Sequence, residues 1–253
     1  MPFTLAHNAA VLPLLKSRRL SATGLIIGTM APDFEYFFRM NVKGIYGHTL
    51  LGVFYFDVPV SILLAFLFHN IARNNFIDQT PLFVQRRLHE VRNFNFMEYF
   101  KTHKLTFIIS VIIGTATHIV WDGFTHKRQF FVEALPGIYE GRTVPFMGAN
   151  YPLWYALQHI STVVGMAFIG VYFLMIKPAP GSFNRPRIIY WVVLAVFMAI
   201  VLKIRMQFDI PNEPYVVAVI TAVSAFCLGI TILGLIPFRR REVSFGNQEP
   251  HGD

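Results

Sequence analysis

Five long apolar runs dominate the sequence, and each is close to the length that crosses a lipid bilayer. They cover residues 50–72, 105–121, 153–176, 188–202 and 215–237. A membrane-spanning helix needs about 20 apolar residues, since its helical hydrogen bonds must satisfy the backbone without water. Because 54% of the residues are hydrophobic and only 14% are charged, we reject an ordinary soluble domain. The sequence therefore predicts an all-α, polytopic helical membrane protein with about five transmembrane helices.

Two shorter segments, residues 3–15 and 20–30, precede the first run. Neither is long enough to span a membrane, so we predict short N-terminal helices at the membrane interface. No basic segment precedes the apolar residues of the first segment, which argues against a cleavable signal peptide. Polar, basic residues follow the first long run and predict an amphipathic helix over residues 82–99.

Loop lengths suggest how the chain is organised. Residues 203–213 form a short connection, so the last two apolar runs are expected to pair as a helical hairpin. We predict a membrane domain over residues 1–176, a C-terminal two-helix membrane hairpin over 177–241 and a disordered tail over 242–253. Five spans place the two ends of the chain on opposite sides of the membrane.

The net charge of +8 would suit a nucleic-acid partner, but Lys and Arg are spread through the loops between the apolar runs. Basic loops beside a bilayer explain this pattern, so we expect membrane lipid and no nucleic acid as partners. The single cysteine, Cys227, excludes an intrachain disulfide and a Cys-rich zinc site. The sequence does not reveal the oligomeric state.

Ionisable residues at the end of the second apolar run are the first sign of a functional site. His118, Asp122 and His126 are spaced four residues apart. On a helix this spacing places His118 and Asp122 on one face, about 6 Å apart along the axis, and His126 continues the row if Gly123 does not break the helix. Ionisable groups within a membrane are usually functional, and this arrangement suits a divalent metal or a proton relay.

Further polar residues fall on the same side of the predicted membrane. Each also has a simpler explanation: His7 and His48 could lie at the interface, Asp33 could cap the helix that begins at Phe34, and the remaining residues could make structural hydrogen bonds. Their convergence nevertheless indicates a metal site of the His/Asp type, supported by hydrogen bonds from neighbouring polar groups. The residues on this side are His7, Asp33, Glu35, His48, Asp57, Gln158 and His159.

Four motifs resemble a known family. They are Pro2-Phe3-Thr4-Leu5-Ala6-His7, Gly28-x-x-Ala31-Pro32-Asp33-x-Glu35, Gly47-His48-Thr49 and His118-x-x-x-Asp122-x-x-x-His126. Together they resemble the DUF4184 family of bacterial membrane proteins, closely over about the first 165 residues and loosely over the last two apolar runs. Their order is more remotely similar to membrane-bound metal-dependent hydrolases and to zinc-dependent phospholipase C.

The phospholipase resemblance implies zinc ligands at His7, Asp33, His48, His118 and Asp122, with His126 as a weaker ligand. The family also uses its free N-terminal residue and a later His-x-x-x-Glu pair. Here Met1 carries no processing signal, and Val163 follows four residues after His159. The resemblance therefore implies one or two zinc ions rather than three.

Three functions remain open. The first is a metal-dependent hydrolase that acts on a phosphoester or lipid-derived substrate at the membrane surface, with Asp33, Glu35 or Asp57 as general base. The second is a transporter or proton-relay protein that uses Asp57, His118 and Asp122. The third is a non-catalytic membrane scaffold with a structural metal. We expect a multi-pass protein of the bacterial cytoplasmic membrane. Cytoplasmic loops carry more Lys and Arg than external ones, and the side of the site has 10 of the 22. This small difference predicts that the site lies on the external face.

Overall fold

A computed structural model describes residues 3–127, 129–208, 214–238 and 242–245. Within these residues, five helices are long and apolar enough to cross a membrane. We number them as spans 1 to 5 in chain order: Val53–Gln79, Lys104–Thr125, Leu153–Met175, Ile188–Arg205 and Pro214–Gly234. The predicted fold class, an all-α polytopic membrane protein, is confirmed.

Shorter helices fill the segments between these spans. A 3-10 helix covers Thr4–Leu14, helix α1 covers Ala22–Gly28, and a 3-10 turn at Ala31–Asp33 leads into helix α2 at Phe34–Arg39. Further short helices occupy Leu82–Arg87, His89–Asn93, Phe96–Thr102, Phe130–Ala134 and Pro136–Tyr139. The amphipathic helix expected over residues 82–99 is thus divided into three.

Span 1 is longer and less regular than the sequence suggests. It contains two π-helical segments, Val53–Asp57 and Phe68–Ala72, and it continues as an α-helix through Arg73–Gln79. The polar residues after position 72, where the first apolar run of the sequence ends, form this last α-helical segment. Single π turns widen a helix locally and often occur at functional sites.

Two short antiparallel sheets of two strands each complete the described structure. Strands β1 (Thr143–Phe146) and β2 (Ala149–Pro152) pair before span 3. Strand β3 (Gly181–Asn184) pairs with β4 (Glu242–Phe245). Residues 242–245 therefore form a strand where we predicted the start of a disordered tail, because their backbone groups pair with those of β3. Residues 246–253 of that predicted tail lie outside the described residues.

The chain divides into two compact units that alternate along the sequence. Unit 1 contains residues 1–35, 44–63 and 103–174, and unit 2 contains the remainder. The predicted boundary at residue 176 lies close to the change of unit between Leu174 and Met175, although two earlier segments also belong to unit 2.

Unit 2 contains the predicted helical hairpin. Spans 4 and 5 pack closely, since a Cβ atom added at Gly229 would lie 2.5 Å from Leu194. The Asn75 amide donates hydrogen bonds to the carbonyl oxygens of Leu233, Gly234 and Ile236, which satisfies the C-terminal end of span 5. Residues 209–213 of the connection between these spans lie outside the described residues.

Candidate metal centre

Close packing in unit 1 begins with glycines on helix α1. An added Cβ atom at Gly24 would lie 2.8 Å from the Phe107 carbonyl oxygen of span 2, and one at Gly28 would overlap the backbone of Val111. Gly114 of span 2 approaches the backbone of α1 in the same way. Small residues four apart let two helices approach until their backbones touch. This contact fixes span 2 against the segment that follows α1.

His118 lies where this packing ends. It is fully buried, and its Nδ1 lies 2.7 Å from the carbonyl oxygen of Thr29. Because a carbonyl oxygen can only accept a hydrogen bond, Nδ1 carries the hydrogen. The other ring nitrogen, Nε2, lies 3.2 Å from Asp122 Oδ2 and 3.7 Å from Asp33 Oδ1. One hydrogen bond thereby orients His118 towards both carboxylates.

Asp33 connects the cluster to the N-terminal 3-10 helix. The Thr4 hydroxyl donates a 2.6 Å hydrogen bond to Asp33 Oδ2, while Oδ1 lies on the side of the histidines. Asp33 is the last residue of the 3-10 turn at Ala31–Asp33 and lies directly before helix α2, so its position is also compatible with the simpler explanation as a cap. A second hydrogen bond, from the Thr29 hydroxyl to Asn8 Oδ1, ties the 3-10 helix to the end of α1.

The Gly47-His48-Thr49 motif forms a tight turn, and each of its three residues has a different structural role. Gly47 lies against Pro32, where an added Cβ atom would be 2.5 Å from the carbonyl oxygen. The Thr49 hydroxyl donates to the Tyr46 carbonyl oxygen and accepts from the Gly52 amide. His48 lies between Gly47 and Thr49, with Nε2 3.6 Å from Asp33 Oδ1 and 3.4 Å from Asp122 Oδ2.

Asp122 is the residue that the histidines surround. Its Oδ1 lies 3.4 Å from His7 Nε2 and 3.3 Å from His126 Nδ1. Its Oδ2 lies close to the Nε2 atoms of His48 and His118. Helix geometry explains part of this arrangement, because span 2 continues through Gly123 to Thr125 and keeps the spacing of four residues. All six predicted metal ligands therefore belong to one cluster.

Several nitrogen and oxygen atoms of the cluster lack a hydrogen bond. Among the described residues, both ring nitrogens of His7, Nε2 of His118 and Oδ1 of Asp122 are buried and have no hydrogen-bond partner. An imidazole lone pair beside a carboxylate oxygen is repulsive unless a proton or another cation lies between them. The buried carboxylates of Asp33 and Asp122 add two negative charges in the same small volume. The cluster thus has the donors and the charge that a divalent cation requires.

Two sets of three side chains could hold a metal ion. They are His7, His118 and Asp122, and Asp33, His48 and His118. Within each set, one ligand atom from every residue lies within 4.8 Å of the others. His118 is common to both sets, and every member except His48 is buried.

The protonation of two histidines outside the spans follows from their surroundings. Burial lowers the pKa of His7 well below its ordinary value, and the nearby His118 lowers it further. Burial also lowers the pKa of His126, although the charge of Asp122 opposes this change. Both imidazoles therefore remain neutral at neutral pH and retain the lone pair that a metal ligand needs.

The other predicted residues lie at different places. Asp57 is fully buried at the end of the first π-helical segment, and neither of its oxygens has a hydrogen-bond partner among the described residues. Glu35 is buried and accepts hydrogen bonds from three backbone amides of the loop that precedes His48. Gln158 is buried in span 3, where its carbonyl oxygen accepts from the Thr162 hydroxyl.

His159 is exposed on span 3, with its ring against Tyr155. Among the described residues, it makes no contact with the cluster. Its supporting role stays a prediction.

Sequence reasoning did not identify the residues that orient the ligands. Thr4 holds Asp33 and Thr29 holds His118, yet neither residue type suggests a site by itself. The pair Gly24 and Gly28, together with Ser110 and Gly114 in span 2, was a detectable signal. Small residues at this spacing predict two helices in close contact, which would have placed Thr29 beside His118.

Comparisons with known proteins agree with the sequence motifs. Residues 1–236 match the family model described as a domain of unknown function, DUF4184. Neither the search of curated proteins nor the search of solved structures found a match. The family match covers nearly the whole chain, from the 3-10 helix that carries His7 to the end of span 5. The chain therefore belongs to the DUF4184 family.

Proposed function

We propose that this protein is a membrane-embedded, metal-dependent hydrolase acting on a phosphoester or lipid-derived substrate at the membrane surface. The observation that supports it is the cluster of four histidines and two aspartates, in which four buried atoms have no hydrogen-bond partner among the described residues: both ring nitrogens of His7, Nε2 of His118 and Oδ1 of Asp122. A structural core would satisfy such atoms with each other, because an unsatisfied buried polar group is costly. The cluster instead retains donors for a cation.

The donor spacing favours zinc. The nitrogen-to-oxygen distances to Asp122 and Asp33 lie between 3.2 and 3.7 Å. Four donors bound tetrahedrally to zinc at about 2.0–2.1 Å would be separated by about 3.3–3.4 Å. Imidazole and carboxylate donors also suit zinc. We propose one or two zinc ions, held by His7, Asp33, His48, His118, Asp122 and His126.

When bound, a divalent cation would lower the pKa of a water molecule towards neutrality and polarise the bond that is broken. The protein must also supply a group that accepts a proton. Asp57 has two free, buried oxygens near His118, whereas both oxygens of Glu35 already accept hydrogen bonds. Asp33 Oδ2 accepts from Thr4. We therefore favour Asp57 as the general base.

The rim of the cluster supports a lipid-derived substrate. His48 and His126 have side chains that are 19% and 21% exposed, so they mark the open side of the cluster. Next to His48 in the sequence, Leu50 and Leu51 are 81% and 74% exposed. A polar reacting group beside exposed apolar residues suits an amphiphilic molecule in the bilayer. We propose that this rim lies at the external face of the bacterial cytoplasmic membrane.

Metal analysis combined with an assay tests the proposal. Wild type, a His118→Ala/Asp122→Ala variant and a His89→Ala control, whose ring contacts Asn93 outside the cluster, would be purified in detergent and analysed for bound metal. Each would then be assayed with bis(4-nitrophenyl) phosphate and with phospholipid vesicles. We expect wild type and the control to contain zinc and hydrolyse an ester, and the double variant to lose both properties.

The same experiment distinguishes the other outcomes. Equal zinc content in the double variant would rule out the proposed site. Bound zinc that stabilises wild type, without hydrolysis of any ester, would favour the non-catalytic scaffold.

A proton relay is the second candidate, and Asp57 is the observation that favours it. Its carboxyl group is buried and unpartnered within span 1, as is the hydroxyl of Ser61 one helical turn later. If the relay operates, wild type in proteoliposomes would move protons down a pH gradient and an Asp57→Asn variant would not. Equal proton flux in vesicles with wild type, with the variant and without protein would exclude this function.

A further inference from the structure

The Glu35 carboxylate holds the loop that precedes His48. Its Oε1 accepts a 2.9 Å hydrogen bond from the Ile45 amide, and its Oε2 accepts from the amides of Tyr46 and Gly47 at 2.7 and 3.0 Å. Glu35 is only 2% exposed, so water competes little for these oxygens. Hydrogen bonds to a charged acceptor are roughly twice as strong as neutral ones, and here one side chain receives three. Three consecutive amides are thereby fixed to one carboxylate.

This brace connects two segments that carry ligands. Glu35 lies two residues after Asp33, and Gly47 lies immediately before His48. In addition, Gly47 packs directly against Pro32, which precedes Asp33. The hydrogen bonds of Glu35 and the contact of Gly47 therefore act on the same pair of segments. Together they fix the distance between Asp33 Oδ1 and His48 Nε2, which is 3.6 Å.

His48 needs such a brace more than the other histidines do. His118 belongs to a long helix and His7 to a buried 3-10 helix, whereas His48 lies in a turn whose preceding residues, Ile45 and Tyr46, are exposed. Without the hydrogen bonds of Glu35, this turn would sample more conformations, and ordering it at the moment of binding would weaken affinity.

We propose that Glu35 is a positioning residue that fixes His48 for metal binding, rather than a group that exchanges protons with substrate. This inference rests on the proposed metal function. It gives the Ala-Pro-Asp-x-Glu and Gly-His-Thr motifs one shared role. The Asp33 carboxylate binds the metal, the Glu35 carboxylate holds the loop, and Gly47 permits the close contact with Pro32. Partners of this kind typically change metal affinity by about 10- to 100-fold.

A double-mutant cycle on zinc affinity tests the role. Wild type, Glu35→Gln, His48→Ala and the Glu35→Gln/His48→Ala variant would be purified as full chains and titrated with Zn²⁺ against a chelator. The glutamine side chain has the same shape, but its NH₂ group would face a backbone N–H and lose at least one acceptor contact. When His48 is present, we expect Glu35→Gln to lower zinc affinity by about 10-fold or more. It should have no further effect once His48 is absent.

Hydrogen exchange provides a readout that does not depend on metal. The amides of Ile45, Tyr46 and Gly47 should exchange at least about 10-fold faster in metal-free Glu35→Gln than in metal-free wild type. A Glu98→Gln variant is the control, because Glu98 lies outside the cluster and accepts a hydrogen bond from Asn95. It should change neither zinc affinity nor exchange at these amides. If Glu35→Gln does not fold, Glu35→Asp keeps the charge but shortens the side chain and should give the same two effects.

The outcomes separate this inference from the proposed function. Unchanged zinc affinity in Glu35→Gln, or an equal loss with and without His48, would overturn the positioning role. Unchanged exchange at the three amides would overturn the brace itself. Failure of wild type to bind zinc would instead overturn the metal function, and the exchange rates would still decide whether Glu35 holds the loop.

Discussion

At the scale of single residues, Asp122 has the most demanding position. Its two oxygens are each shared between two histidines, and its side chain is only 8% exposed. A carboxylate in this position lowers the energy of any cation between the rings, but it raises the energy of the empty cluster. The cluster therefore depends on the residues that hold its members in place.

Removing a hydroxyl group that holds a ligand should weaken metal binding without unfolding the protein. Thr4→Val keeps the shape of the side chain but removes the donor to Asp33 Oδ2. We expect zinc affinity to fall by about 10-fold, measured by titration against a chelator, because Asp33 loses its orientation. Thr221→Val is a matched control, since among the described residues that buried hydroxyl donates only to a backbone carbonyl of its own helix. An unchanged affinity in Thr4→Val would show that Asp33 does not need this hydrogen bond.

The sequence predicted the members of the cluster better than their supports. Ionisable residues such as His118 and Asp122 are conspicuous in an apolar segment, because lipid disfavours them. Thr4 and Thr29 are ordinary residues in such segments, and only the folded structure shows which atoms they contact. Glu35 illustrates the same difficulty. Its residue type suggested a base, but the direction of its oxygens depends on the path of the loop at 45–47.

At the scale of helices, the close contact between α1 and span 2 determines where the ligands lie. Two hydrogen bonds flank the glycine contacts: the Ser21 amide donates to the Ser110 hydroxyl, and the Thr115 hydroxyl donates to the Gly28 carbonyl oxygen. In a membrane, such contacts replace the hydrophobic effect as the force between helices. A change of helix separation would move His118 relative to Asp33.

A methyl group at the centre of this contact should separate the helices. In Gly28→Ala, the new carbon would overlap the backbone of Val111, which cannot move as a side chain can. We expect a loss of about 1–3 kcal/mol in the free energy of unfolding, and weaker zinc binding. Chemical denaturation of the detergent-solubilised protein would measure the first effect.

Gly170→Ala is the control for this prediction. Nothing lies within 4 Å of a Cβ atom added there in span 3. This substitution should leave stability unchanged or raise it by about 0.4–1 kcal/mol, since alanine restricts the unfolded chain. Equal stability of the two variants would mean that the contact between α1 and span 2 does not contribute to the free energy of unfolding.

The sequence predicted the existence of each span more reliably than its ends. Hydropathy identified span 1, but the polar residues after position 72 concealed its last α-helical segment, Arg73–Gln79. There the helix is stabilised by contacts distant in sequence, such as those from Asn75 to the end of span 5. Similarly, strand β4 exists because it pairs with β3, more than 50 residues earlier in the chain. Local sequence does not carry that information.

At the scale of the whole molecule, five spans give the chain a definite topology. Span 3 separates the loop at residues 126–152 from the loop at 176–187, so we expect these loops on opposite sides of the membrane. The excess of Lys and Arg on the side of the second loop is small, 12 of 22, and favours a cytoplasmic position for it. The orientation is therefore open to a direct measurement.

Cysteine labelling in intact cells would measure it. In a background with Cys227→Ala, the reporter positions would be Met147→Cys and Ser182→Cys, since both residues are exposed in the two loops. A membrane-impermeant maleimide should label position 147 before the cells are permeabilised and position 182 only afterwards. The reverse pattern would place the His/Asp cluster on the cytoplasmic side and leave its geometry unchanged.

The alternation of the two units along the chain also has a consequence for biosynthesis. His7 is made first, but its neighbour Asp122 follows 115 residues later (122 − 7). At about 5–20 residues per second, this interval lasts on the order of 6–23 seconds. Throughout that time His7 lacks the carboxylate that lies beside it in the folded protein. Insertion of span 2 then brings His118 and Asp122 to the cluster, so the proposed zinc could be acquired only after that span has entered the membrane.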